Sequence, residues 1–165
     1  MFKEIEYKEI QENLEEKLKN EWALVTAGSP DEFNMMTISW GAFGPLWNDD
    51  MATIYIRGSR HTINYLEKEN YFTISFYGKE YRKALGICGS KSGKDTNKLE
   101  MIGFSPLYDK APYFEEANIV LVCRKVAKTD FKNSVIYDED IIQNNYKDDD
   151  FHIMYNGIIE KVLIK

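Results

Sequence analysis

From Trp22 onward the apolar residues of this chain recur mainly at every second position, in short runs cut by glycine, proline and aspartate. Met36, Ile38 and Trp40 alternate with Met35, Thr37 and Ser39, and Ile54 and Ile56 alternate with Thr53 and Tyr55. Tyr71–Phe76 repeats the pattern, Trp22–Thr26 is a short apolar run, and Asn118–Lys128 is the longest β-like stretch. Period two is the signature of strands with one buried face. Helical spacing is confined to a few places. Tyr7, Ile10, Leu14 and Leu18 mark an amphipathic helix over 7–20, and Ile63 and Leu66 mark another over Arg60–Glu69 with Ser59 as its N-cap. Lys79–Ile87, a turn through Leu99 and Ile102 stopped by Gly103, and Asp138–Asn145 complete the helices. Gly41, Gly44 and Pro45 are expected to end the strand that begins at Asn34. Phe151–Tyr155 and Ile158–Ile164 read as a closing hairpin about Asn156-Gly157. Regular strand–helix alternation is missing, so the expected fold is mainly β, a small antiparallel barrel with flanking helices.

A chain of 165 residues with 44% hydrophobic content supports one domain, 1–165, with a real core. The net charge of −6 offers no basic field for nucleic acid, and no apolar run approaches the length of a membrane span. Cys88 and Cys123 lie far apart with no Cys-x-x-Cys and no zinc-ligand spacing, so two free thiols in a reducing cytoplasm are expected.

Against that acidic background, clustered basic residues mark a local anion site. Arg57-Gly-Ser-Arg-His-Thr62 places two arginines and two hydroxyls where a helix begins, and guanidinium forks and unpaired N–H groups suit a phosphate. On these six residues alone, a solvated basic turn whose serine caps the helix is the simpler reading. Gly89–Asp95 has the look of a phosphate-binding loop but lacks the spacing for nucleotide triphosphates: Cys88 replaces the first glycine and Asp95 follows Lys94. As a flexible loop it could close over a phosphate; taken alone, a plain surface loop is the simpler reading. Thr37 and Ser39 share a strand face that could border a planar ring, or be an ordinary exposed face. His61 and His152 stand alone, and no nucleophile or paired-carboxylate pattern accompanies them. The missing acid–base machinery points to a bound cofactor as the chemical agent.

Taken in order, Asn34-Met-Met-Thr-Ile-Ser-Trp40, Arg57-Gly-Ser-Arg-His-Thr62, the strand through Phe76, Cys88-Gly-Ser-Lys-Ser-Gly-Lys-Asp95 and His152-Ile-Met-Tyr-Asn-Gly-Ile-Ile159 resemble the flavin reductase-like, flavoredoxin-type family. The resemblance implies an FMN-binding split β-barrel, antiparallel and of Greek-key type, in a homodimer with flavin near the subunit interface. By position, Met36, Thr37, Ile38 and Ser39 would border the flavin ring, largely through backbone atoms. Arg57, Ser59, Arg60 and Thr62 would hold its phosphate, and Ser92, Lys94 and Asp95 would lie in the loop that closes the site. Lys94 stands where the family often has arginine, keeping the charge without the fork. Segment 104–117 has no counterpart in the resemblance. The implied function is hydride or electron transfer between NAD(P)H or a protein donor and a flavin or other acceptor. A flavoredoxin-type carrier and a non-catalytic flavin-binding protein are the alternatives, and an amine oxidase on a related barrel fits the order of motifs less well.

Overall fold

The computed structural model describes residues 1–165. In chain order the elements are β1 (Lys3–Ile5), α1 (Leu14–Asn20), β2 (Ala23–Gly28), β3 (Phe33–Ile38), β4 (Gly41–Leu46), β5 (Asp49–Arg57), α2 (Ile63–Lys68), β6 (Tyr71–Phe76), α3 (Arg82–Ser90), α4 (Lys98–Ile102), β7 (Pro106–Tyr108), β8 (Pro112–Phe114), β9 (Ile119–Asp130), α5 (Glu139–Asn145) and β10 (His152–Ile164). No helix is long and apolar enough to cross a membrane. Strands pair antiparallel in the order β3-β2-β6-β9-β10-β5-β4, and β1 adds to β10. One face buries Val25, Met36, Ile38, Ile54, Ile56, Phe72, Ile74 and Tyr155 with Leu14 and Leu18 of α1. Because β3, at one end of the strand order, and β5, next to the other end, share that core, the sheet is rolled into a barrel. No ladder joins β3 to β4, and the barrel is open along that seam.

The period-two pattern supplies a second core on the outer face. Leu24, Met35, Val120 and Val122 pack there against Leu85, Cys88, Phe104 and Phe114. Segment 104–117 is thereby explained: it carries the β7–β8 hairpin and covers this outer core. Glu160 fastens the hairpin, accepting from Lys110 Nζ at 2.6 Å, Arg124 Nε at 2.5 Å and Tyr71 Oη at 3.1 Å. Those hydrogen bonds hold its carboxyl down at about 2.

Four expectations are corrected. Gly41, Gly44 and Pro45 do not end a strand but form β4, where the outer edge tolerates proline because no neighbour needs its N–H. The helix expected over 7–20 is a 3-10 turn at Tyr7–Glu9 followed by α1, capped by Asn13. The helix expected from Arg60 begins at Ile63, so Ser59 is not its N-cap. Asn156-Gly157 is no hairpin turn; it lies inside the continuous strand β10. Opposite it, Asn156 pairs with Ala127 and Gly157 with Lys125, leaving Val126 as the extra residue of a bulge.

Gly157 is required there by space. A Cβ would lie 2.7 Å from Phe72 Cζ and 2.9 Å from Cys123 Cβ, both in the core. Gly157→Ala is expected to cost about 2 kcal/mol or more in urea unfolding, as overpacking does. Gly44→Ala, where a Cβ meets nothing within 4 Å, should stay within about 0.5 kcal/mol.

Candidate functional site

The open seam between β3 and β4 leads to a run of cavities on one side of the barrel. A first, of about 220 Å3, is lined by Met36, Thr37, Ile38, Ser39, Trp40, Tyr55, Arg57, Arg60 and His152. It continues through Arg60 into a wholly polar pocket of about 190 Å3, where Asn34, Ser59, Thr62, Ser92 and Lys98 also contribute. On the other side, around Ser39, Trp40, Tyr55 and His152, it opens into a wider cleft of about 670 Å3 reaching Glu15, Lys19, Phe131 and Tyr146. A long molecule with a flat apolar part and a polar tail has matching space along this line.

The expected site residues fall into three groups. Met36, Thr37, Ile38, Ser39, Arg57 and Arg60 meet in the first cavity, and Ser59, Thr62 and Ser92 join Arg60 in the second. Lys94 and Asp95 do not meet them; they line a separate cavity of about 500 Å3 beyond Asn34, Gly93 and Lys98. The two cavities share Asn34, Gly93 and Lys98, and the loop turns after Gly93, whose missing side chain lets it press on Asn34. A Cβ on Gly93 would fall 2.2 Å from Asn34 Oδ1.

Not every expected donor is free. Thr37 donates its hydroxyl to the Leu85 carbonyl of α3 at 2.5 Å, so its side chain is left only as an acceptor and any N–H it offers a ring comes from the backbone. Gly89 permits that docking, since a Cβ there would lie 3.3 Å from Thr37 Cβ. Thr62 is buried and accepts from Asn34 Nδ2 at 2.9 Å. Arg57 donates Nη1 to the carbonyls of Asn145 and Asp150, at 2.9 and 2.8 Å. Ser59 donates its N–H and its hydroxyl to the Asp150 carboxylate, at 2.9 and 2.6 Å. Arg60 is half-buried and donates to the Gly89 carbonyl at 3.0 Å; burial lowers its pKa, with Asp150 opposing.

Lys98 was not singled out from sequence, where a lysine on a short helix reads as solvated surface. It is only 3% exposed. Its ammonium donates to the Met35 carbonyl and meets no carboxylate. Burial brings its pKa down to about 8, with neighbouring Cys88 opposing and Arg60 reinforcing the fall. A buried cation without a counter-ion, on the wall of a polar pocket that also holds Arg60, is a donor set that fits a phosphate. Cys88 is buried and its thiol is pushed up to about 11, which removes it as a nucleophile.

At the opposite end, His152 is buried beside Trp40, their rings 5.2 Å apart, and Tyr146 Oη lies 2.8 Å from its Nδ1. Burial, helped by Arg57 and opposed by Asp150, lowers its pKa to about 4. Its imidazole is therefore neutral at pH 7.

Comparison with known proteins agrees with this fold. The chain matches the flavin reductase like domain over residues 16–157. No curated protein shows significant similarity to it. A solved flavoredoxin from Methanosarcina acetivorans superposes with a TM-score of 0.69 at 19% identity, covering 87% of this chain and 68% of that one. An FMN-binding domain of a flavin reductases-like enzyme from Shewanella baltica gives 0.70 at 16% identity, covering 99% and 77%. Flavoredoxin of Desulfovibrio vulgaris gives 0.67 at 18%, covering 87% and 69%.

The histidine generates a prediction. On acidification the unfolded chain binds a proton at His152 near the ordinary value of 6.5, while the folded chain resists until about 4. Stability from this residue is thus complete above 6.5 and declines as pH falls toward 4. Thermal melting of wild type against His152→Gln should show that pH slope only in wild type.

Proposed function

Because the chain belongs to the flavin reductase-like family, we propose that it is an FMN-binding oxidoreductase that passes hydride or electrons between NAD(P)H or a protein donor and a flavin or other acceptor. The observation that carries the cofactor reading is the polar pocket, where Lys98 is buried without a counter-ion beside Arg60. When bound, the flavin supplies the redox chemistry itself. The protein's part is then to place it. Arg60 and Lys98 neutralise the phosphate, with the Ser92 hydroxyl beside them. The exposed backbone edge of β3 from Met36 to Ser39 offers N–H and C=O groups to the ring edge. Trp40, Tyr55 and neutral His152 bound the apolar end and limit the access of water to one ring face.

The wide cleft past Trp40 is the approach for donor or acceptor. A homodimer belongs to the same reading: Trp40, at the open seam, is 51% exposed and Trp47, in the β4–β5 turn, is 62% exposed, and a second copy would cover them. A reducing cytoplasm suits the two buried free thiols. The flavoredoxin-like superpositions support a second reading, in which the protein is a carrier loaded by another redox protein and slow with NAD(P)H.

Absorption spectroscopy tests the cofactor reading. Added to FMN at equilibrium, the protein should perturb the visible flavin bands saturably at one flavin per chain, and an unperturbed spectrum would sink it. Arg60→Ala and Lys98→Met should each weaken FMN binding by about tenfold or more while leaving riboflavin binding nearly unchanged. Anaerobic NAD(P)H should bleach the bound flavin within turnover times if the protein is a reductase, and only slowly if it is a carrier.

A further inference from the structure

Behind Ser59, outside the lining of the polar pocket, stands an anion of the protein's own. Asp150 lies 91 residues beyond Ser59, yet its two carboxylate oxygens take both the N–H and the hydroxyl of Ser59. The carboxylate is held in place from its own backbone. Arg57 Nη1 donates to the Asp150 carbonyl, and the Gly58 N–H donates to the Phe151 carbonyl at 3.1 Å. Next to it, Asp149 is tied to Lys132 at 2.5 Å. Ser59 borders the same small pocket as Arg60, Ser92 and Lys98. A phosphate entering that pocket finds two of its donors already committed and a fixed negative charge alongside.

We propose that Asp150 is a built-in competitor for the cofactor phosphate, so that this site exchanges flavin mononucleotide as a diffusing substrate instead of retaining it as a prosthetic group. The proposal rests on the flavin reading above. A dianion must either displace the carboxylate from Ser59, losing two hydrogen bonds, or sit beside it and bear the repulsion. Arg60 and Lys98 still attract it, so binding is favourable but reversible. Riboflavin, which has no phosphate, is indifferent to Asp150. A protein that hands reduced flavin to solution or to a partner needs this balance; a carrier that keeps its flavin through many cycles does not.

The test compares FMN and riboflavin binding, by quenching of flavin fluorescence, for the full chain as wild type, Asp150→Asn and Asp150→Ala. The asparagine keeps the shape and an acceptor toward the Ser59 N–H but removes the charge. Expected is an FMN affinity raised about tenfold in Asp150→Asn with riboflavin unchanged, and FMN release in stopped-flow slowed by a similar factor. If Asp150→Ala fails to fold, the asparagine variant decides alone. An FMN-to-riboflavin preference that stays constant or falls would overturn the proposal, because Asp150 would then be a clasp that aims Ser59. If none of the three proteins takes up either flavin, the flavin reading itself is lost and this proposal with it.

Discussion

The ladder between β9 and β10 decides where everything else sits. Over most of its length it is ordinary antiparallel pairing, but the register slips twice, at Val126 and at Glu160. The first slip lies opposite Gly157, where the β10 backbone passes so close to Phe72 and Cys123 that only hydrogen fits. Bulges bend and twist a strand pair, and here β10 must serve β9, β5 and β1 along one stretch of chain. The second slip turns Glu160 out to gather Lys110, Arg124 and Tyr71. One ladder thus contributes both the closing of the inner core and the clasp on the outer hairpin.

The same ladder delivers the site. The start of β10 pairs with the end of β5, bringing His152 opposite Arg57. From that junction the chain runs into the turn of Ser59 and Arg60 on one strand and comes from Asp150 on the other. Arg57, Ser59, Asp150 and His152 are therefore placed by strand pairing, whereas Thr62 is the N-cap of the short helix α2 and Lys98 is the first residue of α4. The fold is the split barrel with flanking helices that solved flavin reductase-like domains share.

Much of this was legible in the sequence because periodicity is a local property. Tyr71–Phe76 is a strand as its alternation requires, and Gly103 ends α4 in the left-handed conformation at φ 67°. What escaped depends on tertiary context. Asn-Gly is a hairpin signal only if the chain reverses, and β10 runs on because its neighbours on both sides hold it. β4 was hidden by glycine and proline that an edge strand accepts. β7 and β8 are three residues each, too short for a period to register. The ordered motifs pointed to the strand and the basic turn that line the first cavity, yet no local pattern could announce that Lys98 is buried or that Asp150 reaches Ser59. Charge burial and contacts across such distances follow from the fold and are invisible to spacing.

Lys98 also touches a matter apart from cofactors. β3 pairs only with β2, and its other side faces the open seam with no strand partner for its backbone. Such an edge is a template on which another copy's strand can add, the first step toward aggregation. The ammonium of Lys98 caps the Met35 carbonyl on that strand, and the loop at Gly93 presses on Asn34 one residue earlier. The side chain proposed above as a phosphate donor thus also guards an exposed rim, which gives the lysine a structural use that does not depend on any ligand.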